Sequence, residues 1–328
     1  MLSMVIRGGK GRSGCPIPHP LSGKQHTLMF ADYAATFASV GASLRTLQYR
    51  GRDLVRPFPA DDLRPGYSGA ILAPWPNRVK GGSYDYNGLP RQLAINEPSL
   101  GHALHGLVAW SHFVCKGRTS SSLVFAASIE PQDGFPHRLD IEVEYCLSDD
   151  GLSTLVRTTH SGGSTAPFGI SSHNYLVAGP GKVDDWTLRL PAQRVLLVDD
   201  SMMPTHERAV SNRSEFDFRQ PRTLAHIRLD HAFTSLVPDA DGCTHVTLQD
   251  VTGSGVKMSW RDRLPWVQVH TGDLINDPRS RTGLAVEPMS CPPNAFNSGR
   301  DLIHLIGGET HTAQWHISAI LPGGLPGG

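Results

Sequence analysis

The sequence predicts an all-β fold, a sandwich or a barrel, and three observations support this prediction. Residues 139–145 (LDIEVEY) alternate apolar and acidic side chains, which is the two-residue period of a half-buried strand. Asn87-Gly88 ends another alternating run, and this dipeptide is the strongest short signal for a β-hairpin. The 34 glycines and 25 prolines are scattered along the chain, which favours many turns and short elements over long helices.

Strand-like segments follow one another from residue 27 to about residue 320. Aspartate-glycine pairs at 133–134, 150–151 and 241–242 separate several of them. Helical periodicity is poor, and only residues 60–64 and 99–104 are candidates for brief helical turns. Besides residues 139–145, the clearest predicted strands are residues 122–129, 152–158, 186–190, 245–248, 256–260, 266–270 and 311–317.

We expect a single domain over residues 25–320, because no linker or change in composition divides the chain. Residues 1–24, rich in Gly, Pro, Ser and basic side chains, are expected to form a flexible arm, and residues 321–328 a flexible tail. The apolar run at residues 1–6 is too short for a secretory leader, and no stretch approaches the roughly 20 apolar residues of a membrane span. Five widely spaced cysteines without a C-x-x-C pair favour a reduced, cytoplasmic setting.

The charge balance points away from polyanionic partners. Lys and Arg total 30, and Asp and Glu total 30, so the chain has no net charge. Bulk electrostatics therefore favours neither nucleic acid nor an anionic membrane as a partner. We expect a monomer or a homodimer that acts on a small molecule.

Glu287 is the first chemical candidate. It lies in residues 285–296 (AVEPMSCPPNAF), at the end of a short apolar run and directly before a proline-rich turn. The run predicts a buried strand, and the prolines are expected to end it, because proline donates no ladder hydrogen bond. Glu287 is thus expected where a strand leaves the sheet, on a stiff segment that suits a positioned base; the alternative is a solvated glutamate at a strand end.

Two turn-like motifs carry further candidates. In residues 73–82 (APWPNRVKGG), Arg78 could clamp a ligand oxygen with its fork of donors, or pair with backbone carbonyls. In residues 101–106 (GHALHG), His102 and His105 could hold a metal only on a helix, which the glycines disfavour, and no acidic or Cys partner is near. A neutral, hydrogen-bonding His105 is the preferred interpretation, and no metal is expected.

Two strand-like motifs complete the set. His173, in residues 169–176 (GISSHNYL), is either a structural histidine or a group that exchanges a proton near neutral pH. Asp230, in residues 228–233 (RLDHAF), could accept sugar hydroxyls or cap a turn. No G-x-S-x-G nucleophile elbow occurs, and no G-x-x-x-x-G-K-[ST] or G-x-G-x-x-G stretch opens a helix, which argues against serine hydrolase chemistry and nucleotide binding.

Taken together and in order, these motifs resemble the aldose 1-epimerase (galactose mutarotase) family over residues 27–318. The stretches that carry the resemblance are residues 77–79 (NRV), 104–106 (LHG), 172–175 (SHNY), 216–222 (FDFRQPR), 229–233 (LDHAF), 267–272 (VQVHTG) and 286–288 (VEP).

The resemblance implies a large twisted antiparallel β-sandwich with an open sugar cleft and no cofactor. It implies that Glu287 is the general base and His173 the general acid in the anomerisation of a free aldohexose such as glucose or galactose. The base removes the proton of the C1 hydroxyl, the acid protonates the ring oxygen, and the two groups are expected on opposite sides of the C1–O5 unit. The residues implied to bind the sugar are Arg78, His105, Asp230 and Gln268, with Asn77 as a helper.

Three alternatives stay open on the sequence. A hexose-6-phosphate 1-epimerase needs a phosphate clamp, for which the basic stretch with Arg213, Arg219, Arg222 and Arg228 is the candidate, although acidic residues interleave with it. A sugar-binding module without turnover predicts the loss of His173 or Glu287, and both are present. A glycoside hydrolase or lyase needs two catalytic carboxylates, for which Asp230 and Glu287 can be proposed, or a Tyr/Arg arrangement, and the match at His173 argues against this class.

Overall fold

The computed structural model describes residues 19–261, 263–274 and 276–323, and it confirms the all-β prediction. Helix is confined in this part of the chain to one short α-helix, α1 (Ala295–Ser298), and to 3-10 turns at Pro65–Tyr67, Lys80–Gly82 and Val183–Asp185. Neither candidate for a helical turn, residues 60–64 and 99–104, forms a helix. No helix among the described residues has the length and apolar character needed to cross a membrane.

Strands account for the rest of the regular structure. The first half of the chain contains β1 (Gln25–Phe30), β2 (Tyr33–Ala38), β3 (Ser43–Tyr49), β4 (Arg52–Asp53), β5 (Ile71–Leu72), β6 (Arg78–Val79), β7 (Ser83–Tyr86), β8 (Leu89–Gln92), β9 (Ala103–Leu104), β10 (Val114–Arg118), β11 (Ser122–Ile129), β12 (Leu139–Ser148) and β13 (Gly151–His160).

The second half begins with the short strands β14 (Ala166–Phe168), β15 (Ser171–Ser172) and β16 (Asn174–Leu176). It continues with β17 (Thr187–Arg189), β18 (Ala192–Val198), β19 (Pro204–Ala209), β20 (Arg222–Thr223), β21 (Asp230–Leu236), β22 (Thr244–Gln249), β23 (Gly255–Trp260), β24 (Trp266–His270), β25 (Leu284–Met289), β26 (Ile303–Leu305) and β27 (Thr310–Ile320).

The three largest antiparallel sheets of the described residues share the main hydrophobic core. A nine-stranded sheet has the order β10-β11-β12-β13-β27-β23-β22-β17-β20, a six-stranded sheet the order β16-β25-β24-β21-β18-β19, and a four-stranded sheet the order β1-β2-β3-β4. Side chains from all three sheets, among them Phe37, Phe125 and Val267, belong to a single cluster of buried residues. Apolar faces of sheets have to be covered in this way to leave water, and the result is the sandwich that the resemblance implied.

The predicted strands match the structure closely. Residues 122–129 and 266–270 coincide with β11 and β24, and the other clear segments lie within strands or overlap them. Asn87 and Gly88 both have positive φ and join β7 to β8, as the hairpin signal predicts. The expected arm and tail fall largely outside the described residues, which omit 1–18 and 324–328, so the division into arm, domain and tail stays a prediction.

Replacing Phe125 by Ala is expected to destabilise the sandwich by about 3–5 kcal/mol, because its ring is fully buried in the common core. The matched control is Val114→Ala on the neighbouring strand β10, where the side chain is about half exposed and the cost stays within about 0.5 kcal/mol. Urea unfolding of both variants measures the difference, and an equal loss of stability in the two contradicts this account of the core.

Candidate active site

Glu287 lies on the second strand of the six-stranded sheet and is almost completely buried. Its strand, β25, pairs with β24, with Glu287 opposite Gln268 and Pro288 opposite Val267. The prediction that Glu287 marks the strand end was wrong, because β25 continues through Pro288 to Met289. Strand β16 pairs with β25 only as far as Val286, so at Pro288 the sheet continues on one side only. The missing N–H of Pro288 therefore interrupts no ladder hydrogen bond.

His173 lies beside Glu287, where the chain passes from β15 to β16. Its backbone N–H donates to Ala70 O at 2.9 Å rather than to the six-stranded sheet. Its Nε2 lies 3.3 Å from Glu287 Oε1, and both side chains are buried. Among the described residues, His173 Nδ1 and Glu287 Oε2 have no hydrogen-bond partner. Buried polar atoms without partners are rare, so the pair has hydrogen-bonding capacity to offer a ligand.

Burial determines the protonation of this pair. Desolvation, with repulsion from Asp230, raises the pKa of Glu287 well above 4.5. Desolvation, with the neighbouring His105, His270 and Arg56, lowers the pKa of His173 well below 6.5. Both shifts favour the uncharged forms, because a low-dielectric site disfavours charge. Because the two groups are in contact, they titrate as a coupled unit.

His105 is held as a neutral hydrogen-bond donor. The backbone N–H of Asn77 donates to His105 Nδ1 at 3.2 Å, and the backbone N–H of His105 donates to Asn77 O at 2.9 Å. With Nδ1 accepting, the ring proton is on Nε2. Burial and the positive charge of Arg78 lower the pKa of His105 to about 3, so it stays uncharged at neutral pH. This agrees with the preferred interpretation of a hydrogen-bonding histidine.

Arg78 is fixed by a glutamate that the sequence did not single out. Its Nε and Nη2 donate to the two carboxylate oxygens of Glu97, each at 2.8 Å. Burial opposes the charge of Arg78, but the bonds to Glu97 keep its pKa raised. This two-point contact fixes the guanidinium plane. Nη1 also donates to Asn77 Oδ1 at 3.5 Å, and the other N–H groups are left for a ligand.

Asp230 and Gln268 form the opposite side of the site. Gln268 Nε2 donates to Asp230 Oδ1 at 2.6 Å, and Gln268 Oε1 has no partner among the described residues. Asp230 is the first residue of β21, which pairs with β24. Because alternate residues of a strand share a face, Gln268 and His270 lie on the same face of β24.

All seven predicted site residues line a single pocket of about 150 Å³. This is below the roughly 300–1,000 Å³ of pockets for drug-sized ligands and suits a small molecule such as one sugar ring. Two larger hollows, of about 340 and 730 Å³, contain none of the seven residues. The other lining residues are Gly66, Tyr67, Leu104, Tyr175 and His270.

Two tyrosines of the pocket wall are not among the residues that the sequence motifs predict for the site. Tyr175 stacks on His173 with ring centroids 5.0 Å apart, and Tyr67 packs edge-on against His105 at 4.6 Å. The two-residue period that places Tyr175 on the face of His173 could have identified it. Tyr67 follows Pro65-Gly66 in a turn with positive φ, and that segment gives no comparable signal.

A separate group of potential metal ligands lies outside the pocket. Among the described residues, Asp241, Cys243 and His245 bring their ligand atoms within 4.8 Å of one another. His245 Nε2 contacts Asp241 Oδ2 at 2.9 Å, and its Nδ1 contacts Ser259 Oγ at 2.7 Å, so both ring nitrogens already have partners.

Comparison with known proteins agrees with the fold and the motifs. The aldose 1-epimerase family matches this chain over residues 24–318. The uncharacterised protein YihR of Escherichia coli K12 is 37% identical over 297 residues, which cover 90% of this chain and 93% of that protein. The galactose mutarotase of Sus scrofa is 28% identical over 237 residues, covering 68% and 67% of the two chains.

Solved structures show the same fold at low sequence identity. A GalM/aldose epimerase homologue from C. elegans has a TM-score of 0.79 at 20% identity and covers 91% of this chain and 99% of its own. A putative aldose 1-epimerase from Escherichia coli K12 has a TM-score of 0.78 at 22% identity, with the same coverage.

Gly106 is expected to be indispensable for the position of His105. It has φ of +71°, and a Cβ added there would lie 2.1 Å from Ala73 O. Gly101 is the matched control, since its φ is +73° but nothing lies within 4 Å of an added Cβ. Gly101→Ala should lower the free energy of unfolding by about 1 kcal/mol, because alanine disfavours a positive φ. Gly106→Ala should lower it by about 2 kcal/mol more, because its Cβ also clashes with Ala73 O. Equal unfolding free energies in urea contradict the prediction.

Proposed function

The chain belongs to the aldose 1-epimerase family, and we propose on that basis that it interconverts the α and β anomers of a free aldohexose such as glucose or galactose. The observation that carries the proposal is the contact between His173 and Glu287 inside a pocket lined by hydrogen-bonding groups. The galactose mutarotases among its relatives act on a sugar of this class. The proposed enzyme is an isomerase that needs no cofactor.

The reaction consists of two proton transfers in each direction. Glu287 accepts the proton of the C1 hydroxyl while His173 donates a proton to the ring oxygen, and the C1–O5 bond breaks to give the open-chain aldehyde. Rotation about C1–C2 presents the other face of the carbonyl. Glu287 then returns its proton to the carbonyl oxygen as the C5 hydroxyl attacks C1 and gives its proton to His173. The protein ends in its starting state, and no atom is gained or lost.

The shifted pKa values of the pair favour ring opening. A carboxylate whose pKa is raised is a stronger base, and an imidazolium whose pKa is lowered is a stronger acid. Ring opening leaves the pair uncharged, with the proton on Glu287, and both pKa shifts favour these uncharged forms. A sugar that places its C1 hydroxyl and ring oxygen at the two groups has to separate them from their 3.3 Å contact, and its polar atoms replace that contact.

The remaining pocket residues supply directional hydrogen bonds to a neutral sugar. The Nε2–H of His105 and the free N–H groups of Arg78 are donors that can share the charge on the ring oxygen. Asp230 and Gln268 offer acceptors to sugar hydroxyls, with Asn77 supporting His105. Aromatic faces of Tyr67 and Tyr175 provide stacking surfaces.

The positions of the arginines favour a free sugar over a hexose 6-phosphate. None of Arg213, Arg219, Arg222 and Arg228 lines the pocket. Arg219 pairs with Asp217, Arg222 donates to Ser214 O, and Arg228 is largely exposed. Arg78, the arginine that does line the pocket, is already neutralised by Glu97.

Optical rotation of freshly dissolved α-D-glucose and α-D-galactose tests the function directly. With chelator present, the wild type should accelerate equilibration above the spontaneous rate. Glu287→Gln and His173→Ala should each lose a factor on the order of 10²–10⁴. Glu130→Gln is the control, because Glu130 pairs with Arg138 at an exposed position outside the pocket.

An unchanged spontaneous rate on both hexoses contradicts the substrate proposal and directs the same assay to hexose 6-phosphates and pentoses. No acceleration of any of these sugars contradicts the enzymatic function and leaves a sugar-binding module.

The pH profile of kcat/KM should be a broad plateau, because the active pair carries one proton. The acidic limb reports the second proton, which adds to His173, and it should lie well below pH 6.5. The alkaline limb reports loss of the proton from Glu287 and should lie well above pH 4.5. Initial rates in a series of buffers measure both limbs. An acidic limb at or above pH 6.5 contradicts the assignment of a buried, neutral His173.

A further inference from the structure

Arg56 is a buried arginine without an ion-pair partner among the described residues. The residue is 8% exposed, and burial lowers the pKa of its guanidinium. Nη2 donates to Ser68 Oγ at 2.8 Å, while Nε has no hydrogen-bond partner in the described part of the chain. The nearby Asp277 is held by its own ion pair with Arg279. Because an unpaired buried charge is costly, its presence indicates a purpose other than stability.

Tyr175 connects Arg56 to the acid–base pair. The Arg56 N–H donates to Tyr175 O at 2.8 Å, and the guanidinium carbon lies 3.6 Å from the centroid of the Tyr175 ring. The same ring stacks on His173 with centroids 5.0 Å apart and planes inclined by 27°. Gly283 packs against both side chains, since an added Cβ would lie 3.0 Å from Tyr175 Cβ and 3.2 Å from Arg56 Cβ. Arginine, tyrosine and histidine thus form a continuous, tightly packed stack.

We propose that Arg56 is a positioning residue that holds Tyr175 against His173 and whose fixed positive charge makes the His173 imidazolium a stronger acid. A positive charge near an imidazole disfavours its protonated form. Under the proposed function, on which this role rests, the effect promotes donation of the proton to the ring oxygen. Arg56 touches no substrate in this arrangement and acts through Tyr175 and through its charge.

The other groups around His173 leave this role to Arg56. Two arginines lie near His173 among the described residues. Arg78 lines the same pocket but is neutralised by Glu97, whereas Arg56 has no ion-pair partner in the described part of the chain. The other groups around His173 are Tyr67 from the 3-10 turn, His105 after β9, Tyr175 from β16, Asp230 from β21, His270 from β24 and Glu287 from β25.

The test is a pH titration of the His173 ring by NMR in protein labelled with ¹⁵N-histidine, with the resonance assigned by its absence in His173→Ala. Arg56→Met removes the charge and should raise the pKa of His173 by about one pH unit. Arg56→Lys keeps the charge and should change the pKa of His173 by no more than about a few tenths of a pH unit. If Arg56→Met does not fold, Arg56→Gln carries the same prediction as a neutral variant.

Arg52→Met is the matched control. Arg52 is a half-buried arginine of the same segment that donates to Ala178 O and Gly255 O and does not face His173. Its replacement should leave the titration of His173 unchanged. In the mutarotation assay, the acidic limb of kcat/KM should move upward in Arg56→Met by the same amount as the NMR pKa and stay in place in Arg56→Lys.

Two results overturn the proposal. The first is a neutral variant, Arg56→Met or Arg56→Gln, whose His173 resonances match those of the wild type at every pH. The other is an equal shift in Arg56→Lys and Arg56→Met, which assigns the effect to packing rather than charge. If the wild type does not accelerate mutarotation, the proposed function fails separately, while the NMR titration still decides whether Arg56 controls the acidity of His173.

Discussion

The structure of the site depends on the burial of one carboxyl group and one imidazole in contact with each other. Glu287 and His173 are both nearly inaccessible to water, and the low dielectric around them pushes their pKa values in opposite directions. An isolated carboxylate at this depth would be severely destabilising, whereas a pair that shares one proton can remain uncharged. Under the proposed function, the same burial prepares the pair to give and take protons. Stability and reactivity therefore follow from one arrangement.

The antiparallel register of the six-stranded sheet brings the groups of the site together. On β24, Gln268 lies opposite Glu287 of β25, and His270 lies opposite Asp230 of β21. A shift of one residue in this register would turn these side chains to the other face of the sheet. Turns with positive φ at Asn77 and His105 add the remaining donors from outside the sheet. The sandwich core fixes the register, so packing far from the pocket determines the geometry inside it.

Much of the fold and the composition of the pocket could be predicted from the sequence, because both have local signals. Alternating strands such as residues 139–145 and the Asn87-Gly88 turn specify β-structure directly. The ordered motifs identified seven residues that line one pocket in the structure, although their roles remain predictions. The strand of Glu287 extends further than proline chemistry suggested, because the position of Pro288 relative to β16 is a tertiary property. Glu97 and Arg56 could not be predicted for the same reason, since their contacts join segments that are distant in sequence.

Under the proposed function, the anomeric centre of a sugar binds between Glu287 and His173. A crystal structure of the Glu287→Gln variant soaked with an aldohexose tests it most directly, because slow turnover preserves the bound ring. We expect the C1 hydroxyl within about 2.6–3.2 Å of the side chain at position 287 and the ring oxygen at the same distance from His173 Nε2. A sugar whose C1 points away from this pair, or one bound in a different hollow of the molecule, would contradict it.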